Sequence, residues 1–103
     1  MPAWGIAVAS KFPAVGAIVP WARARAGAVA TQSYANTTYG PEGLQRMSAG
    51  ESAAQALQTL LDNDPGREQR QAGFVDPAGG AATFTGSECQ AWAGGWTGDG
   101  VAI

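Results

Sequence analysis

Chemistry in this chain has to be sought among hydroxyls, amides and a single ammonium, because its 103 residues contain no histidine and one cysteine, Cys89. A Ser-His-Asp triad, a Cys-His dyad, a Cys/His zinc site and a disulfide framework are therefore excluded within it. Lys11, the one lysine, stands in Ala9-Ser10-Lys11-Phe12 at the close of an apolar alternation, where a strand end can present an ammonium to a cleft. A solvated surface lysine is the plainer reading. The run Ala30-Thr31-Gln32-Ser33-Tyr34-Ala35-Asn36-Thr37-Thr38-Tyr39-Gly40 gathers hydroxyls and amides at the end of another apolar run. Such groups contact a carbonyl or complete an oxyanion hole, and they equally cap a following helix.

Other candidates are weaker. Trp92 and Trp96, in a glycine-rich stretch, have the residue type that stacks on sugar rings, although core or interface packing is the commoner use of tryptophan. Asp62-Asn63-Asp64 followed by Gly66 resembles the opening of a calcium loop, but the closing bidentate acid is missing and a helix-ending turn fits better. Loss of Met1 would leave Pro2 as a secondary amine able to act as a base, as in tautomerases, and an incidental proline is the simpler view. Gly98-Asp99-Gly100 lacks the third glycine of a dinucleotide loop, no phosphate loop is present, and Asn36-Thr37-Thr38 is a glycosylation acceptor only in a secreted protein. No cofactor and no metal is expected.

The elements that must position these groups follow from periodicity. In residues 3–9, Trp4, Ile6 and Val8 alternate with Ala and Gly, which predicts a strand with one bulky and one thin face. Apolar runs at residues 15–21 and 27–32 predict two more. Gly40-Pro41-Glu42 with Leu44 and Met47 predicts a helix over 41–49. Ser52-Ala53-Ala54-Gln55 is a capping box, and Ala53, Ala56, Leu57, Leu60 and Leu61 share one face of a second helix that Pro65 must end near residue 63 or 64. Residues 70–75 and 81–85 flank Asp76-Pro77-Ala78-Gly79-Gly80 as a β-hairpin. Val101-Ala102-Ile103 reads as the start of a further strand. The order predicts one α+β domain over residues 1–103, and strands with a thin Ala/Gly face suit a sheet covered on both sides.

Composition sets the scale of that domain. Of its 47 hydrophobic residues 22 are alanine, and 15 glycines accompany them, so only 25 larger apolar side chains can build a core. A net charge of −2 and a pI near 4.8, with no basic run, make nucleic acid an unexpected partner. The apolar stretch at residues 15–30 is broken by Pro20, Arg23 and Arg25, which is wrong for a spanning helix, and the start lacks the pattern of a signal peptide. No membrane is expected, and a cytoplasmic location is.

Several separated strings together are distinctive: SKFPAVGAIVPWAR at residues 10–23, GAVATQSYANTTYGPEGL at 27–44, DPGREQRQAGFVD at 64–76, FTG at 84–86 and CQAWAG at 89–94. With them the chain resembles domain-of-unknown-function family 1028, a bacterial and archaeal family of Ntn-hydrolase-like proteins. The resemblance implies an αββα sandwich, of which this chain is a partial four-layer version. It also implies amide-bond hydrolysis of a small amide or peptide substrate by an N-terminal Thr, Ser or Cys whose own α-amine is the base, a mechanism that needs no histidine. Relatives carry another strand before the position of Trp4 and continue beyond Ile103, so the chain is expected to be a fragment, to lack the nucleophile and to be inactive alone. Strand-end position makes Lys11 an electrostatic tuner and Thr31, Ser33 and Asn36 polar carbonyl contacts in the remaining pocket. The alternative is a non-catalytic binding or assembly module, contacting cell-wall glycans or peptides, and association into a homo-oligomer is expected of a thin core with open sheet edges.

Overall fold

The computed structural model describes residues 2–103; Met1, and with it the amine chemistry that depends on its removal, lies outside them. Four antiparallel strands, β1 (Pro20–Arg23), β2 (Gly27–Ser33), β3 (Arg70–Val75) and β4 (Ala81–Thr85), form one sheet in the order β1-β2-β3-β4. Between β2 and β3 run two helices, α1 (Tyr39–Ser48) and α2 (Ala53–Asp62). A small hairpin of β5 (Thr97–Gly98) and β6 (Val101–Ala102) turns at Asp99-Gly100, with Gly100 at φ 69°. The architecture is α+β.

Strand register explains which face the helices cover. Val29 pairs with Phe74 and Thr31 with Ala72, while Ala72 and Phe74 pair onward with Phe84 and Ala82. Side chains alternate along a strand, so all of these share one face. Val29, Ala72 and Phe74 pack there against Tyr39, Leu44 and Met47 of α1 and Ala53, Ala56, Leu57, Leu60 and Leu61 of α2. The opposite face carries Ala28, Ala30, Gly73, Val75 and Ala81, as the thin-face pattern predicts.

The second helix matches its sequence signals closely. Ser52 Oγ accepts from Gln55 N at 3.1 Å and Gln55 Oε1 accepts from Ser52 N at 3.0 Å, so the capping box is closed. The hairpin β3–β4 also has the expected bounds, and its turn is organised by Asp76. That buried carboxylate accepts from Ala78 N and Gly80 N, each at 2.9 Å, and its other oxygen accepts from Ala53 N at 2.8 Å. Ala53 is the first residue of α2, whose N–H has no partner within the helix. One side chain therefore shapes the turn and fastens it to a helix N-terminus, where negative charge is favoured. Burial pushes the Asp76 carboxyl up, but the three backbone donors outweigh it and hold it below its ordinary value.

Two expected elements differ. No strand forms at residues 3–9, although Trp4, Ile6 and Val8 are half-buried and Gly5, Ala7 and Ala9 exposed, so the period-two burial persists without a ladder. The segment lies across the thin face of the sheet, where Ile6 and Val8 bound a 240 Å³ cavity with Ala28, Ala30, Gly73 and Ala102. A segment over a face meets side chains, whereas strand pairing requires a backbone edge. The run at residues 15–21 is likewise divided, into a 3₁₀ turn at Val15–Ala17 and the strand from Pro20. Helix α1 begins two residues earlier than predicted because Thr38 N donates to Asn36 Oδ1 at 3.1 Å and Tyr39 N to Asn36 O at 3.1 Å, which turns the chain before Pro41. Proline remains in the first helical turn, where its missing N–H costs nothing.

Helix α1 approaches the sheet through Gly40 and Gly43. A methyl group at Gly40 would enter the Trp21 indole, and one at Gly43 would come 2.5 Å from Cε2 of Phe74. Phe74 is fully buried and has no space to yield. Alanine is the better helix former by about 1 kcal/mol, yet overpacking a filled core outweighs that gain. Gly43→Ala is expected to destabilise the chain by about 1–3 kcal/mol, read as a lower urea midpoint with an unchanged slope.

Candidate functional site

The polar chemistry collects where β2 ends, β3 begins and the two helices meet the loops. Asp64 follows α2 in Asp64-Pro65-Gly66, and Arg70 opens β3 six residues later. Arg70 Nε donates to Asp64 Oδ2 at 2.9 Å and Nη2 to Oδ1 at 3.2 Å, a bidentate pair. Tyr39 Oη donates to Oδ2 at 2.7 Å, Asn36 Nδ2 to Oδ2 at 3.4 Å, and Gly66 N to Oδ1 at 2.9 Å. The carboxylate thus receives five donors from four parts of the chain. Chiefly the Arg70 guanidinium, aided against burial by Tyr39, Gly66 and Asn36, holds Asp64 far below the usual carboxylate range. Burial and the bond to Asp64 push the Tyr39 phenol well above its ordinary value. With its lone pairs taken, Asp64 is neither a free base nor an available metal ligand.

The same junction shapes the strand end. Arg70 Nη1 donates to Tyr34 O at 2.7 Å, and Tyr34 N donates to Gln69 O at 3.2 Å. Between these contacts Ser33 holds φ at 64°, a left-handed conformation that serine adopts at some cost. The kink ends β2 and exposes Ser33 and Tyr34 on a ridge between two grooves. One groove, of 640 Å³, is bounded by Phe12, Ile18, Ser33, Tyr34, Thr37 and Arg70. The other, of 270 Å³, is bounded by Ser33, Tyr34, Gln71, Cys89, Gln90 and Trp92.

The four residues singled out from sequence fall into different places. Ser33 lines both grooves. Thr31 is fully buried on the helix side of β2, and its hydroxyl donates to Asn36 O at 3.4 Å. Asn36 spends its amide on Asp64 and its Oδ1 on Thr38 N and, at 2.7 Å, Thr38 Oγ1. Lys11 is exposed, between Ser10 and Phe12, which both line the larger groove. Among the tryptophans, Trp21 packs on α1 while Trp92 and Trp96 are exposed at 90% and 61%. Asp64 is read from sequence only as part of a helix-ending turn, and the sequence assigns no role to Arg70 or Tyr39. Their only sequence signal is an aspartate followed by Pro-Gly at a helix end, with an arginine opening the next strand.

An antiparallel four-stranded sheet with two helices on one face and two grooves at a strand end defines an α+β domain with a strand-end site. A family model for the family of unknown function DUF1028 matches residues 1–103, and the chain belongs to that family. The chain is similar to the crystal structure of protein SPO2555 from Silicibacter pomeroyi, itself described under DUF1028, with 36% sequence identity and a TM-score of 0.79. The likeness covers 82% of this chain and 38% of that one, so this chain spans well under half the neighbour's length. No curated protein matches it. No helix among the described residues is long and apolar enough to cross a membrane.

The junction has a pH signature with two limbs. Asp64 is held ionised below its ordinary value of 3.8, so its contribution is complete above that pH and is lost as the medium is acidified further. Tyr39 is held protonated above its ordinary value of 10.0, so its contribution is complete below pH 10 and is lost at higher pH, where the unfolded phenol ionises first. Tyr39→Phe is expected to cost about 1.5–3 kcal/mol at neutral pH and to weaken the alkaline decline in stability while leaving an acid decline. Chemical denaturation across about pH 3–11, which spans the ordinary carboxylate and phenol values at which the unfolded groups titrate, measures both.

Proposed function

We propose that these helices and their sheet form one half of a four-layer αββα unit of the Ntn-hydrolase type, and that the longer protein hydrolyses a small amide or peptide. By itself the 103-residue chain binds such a substrate without cleaving it. The observation that carries this reading is the thin face of the sheet. Ala28, Ala30 and Gly73 leave it nearly flat, residues 5–8 and the β5–β6 hairpin with the chain just before it lie over it, and Ala102 Cβ would stand 3.4 Å from a methyl at Gly73. A surface of that kind suits a second sheet packed about 10 Å away. The large exposed apolar side chains, among them Phe12, Trp92, Trp96, Val101 and Ile103, lie outside both helices.

At the strand end, Ser33 is the group placed to contact a substrate carbonyl, with Lys11 as a nearby source of positive potential and Thr31 and Asn36 supporting the loop from behind. Cleavage would require a base beside a hydroxyl or thiol. Asp64, the carboxylate of this junction, is fully engaged, and Cys89 Sγ donates to Arg70 O at 3.3 Å. A second reading, an assembly module, is favoured by the open edge of β1 together with the exposed aromatic residues; sedimentation velocity showing a monomer at all concentrations counts against it.

A panel of aminoacyl and dipeptidyl p-nitroanilides separates the outcomes. The Silicibacter pomeroyi protein is expected to release p-nitroaniline from at least one member, and the 103-residue chain from none. Turnover by the short chain that disappears in Ser33→Ala would move catalysis into this half, and silence of the longer protein across the panel would remove the hydrolase reading.

A further inference from the structure

We infer that Trp92 and the groove beside it form a binding site for a neutral pyranose sugar. Trp92 is the most exposed of the large apolar side chains, at 90%, yet its ring is not loose: its six-membered part rests over Gly94, where a methyl group would come 3.1 Å from Cη2. A side chain larger than glycine at position 94 would therefore crowd the ring, while nearly all of the indole surface stays open to a ligand. Gln71 fixes the loop that carries it. Its Nε2 donates both protons, to Thr85 Oγ1 at 3.1 Å and to Gly94 O at 3.0 Å. That commitment settles the amide orientation and leaves Oε1 as the acceptor.

The groove's chemistry selects the ligand class. Its 270 Å³ are bounded by Ser33, Tyr34, Gln71, Cys89, Gln90 and Trp92, none of them carrying a formal charge. Arg70, which precedes Gln71 in β3, spends its guanidinium on Asp64 and on Tyr34 O. An anion would find no counter-charge here, and a nucleotide would find a platform for its base but none for its phosphates. A pyranose offers a C–H face to an open indole and equatorial hydroxyls to amide and hydroxyl groups beside it, which is what this groove supplies. Trp96 differs despite its similar setting in sequence. It packs on Gly98, its backbone pairs with Ile103, and it does not line the groove.

The test is an NMR titration of the 103-residue chain with soluble hexamers of β-1,4-linked glucose and of β-1,4-linked N-acetylglucosamine, following the indole Nε1–H and glutamine side-chain resonances. At least one hexamer is expected to shift the Trp92 indole and the Gln71 amide saturably, with the Trp96 indole unmoved. Trp92→Ala is expected to weaken binding by about tenfold, Trp92→Tyr by about threefold or less, and Trp96→Ala not at all. The inference is overturned if neither hexamer shifts Trp92, if Trp96→Ala weakens binding as much as Trp92→Ala, or if an uncharged Ala-Gly decapeptide shifts the same resonances with equal affinity.

Discussion

A buried carboxylate in a core this thin is an obligation that the surrounding chain must meet, and Asp64 organises the molecule because four segments meet it. An unpaired charge would cost several kcal/mol in the interior. Arg70 pairs with it bidentately, and Tyr39, Asn36 and the Gly66 amide take its remaining lone pairs. Those partners come from the first residue of α1, the loop before it, the turn after α2 and the first residue of β3. Satisfying one side chain therefore fixes where both helices stand relative to the sheet. Asp76 does the corresponding work at the other end of α2, where it holds Ala53 N and the turn of the β3–β4 hairpin. The helix is thus anchored near both ends by aspartates that are themselves buried.

This arrangement answers the question raised by the alanine and glycine content. Few bulky residues need not mean a loose core when the layers are brought close. Gly40 and Gly43 let α1 rest directly on Trp21 and Phe74, and the small residues of α2 face the same sheet surface. Small side chains offer less apolar area per residue, so a larger share of the positional specificity falls to the two carboxylate junctions. The thin face on the other side of the sheet has no such anchored layer. It carries a coil segment and a two-stranded hairpin, and the exposed Phe12, Tyr34 and Trp92 line the grooves at the strand end.

Elements whose stabilising contacts are local were legible in the sequence. The capping box of α2 and the turn of the β3–β4 hairpin depend on residues within a few positions of each other, and both have the expected bounds. Residues 3–9 carry a period-two pattern that matches the half-burial of Trp4, Ile6 and Val8 but does not say whether a backbone edge is there to pair with. The start of α1 was displaced because Asn36, read as a carbonyl contact, also turns the chain into the helix. For the candidate site, the segment containing Ser33 stands out in the sequence, since clustered hydroxyls and amides after a strand are visible in one dimension. The junction of Asp64 with Tyr39 and Arg70 does not, because its meaning lies in contacts across 6 to 25 positions. The match to DUF1028 over residues 1–103 establishes the family that the separated strings resembled.

The dependence on Asp64 can be examined at the carboxylate itself. A ¹³C titration of its side-chain carboxyl carbon, followed through the acid range while the amide spectrum stays native, reports its protonation directly. Five donors on one buried carboxylate require the Asp64 signal to remain that of the ionised form as exposed carboxylates titrate, with its own transition well below 3.8. A transition at or above that value would mean that the junction is open in solution, and that something other than Asp64 sets the positions of the helices and of the strand end.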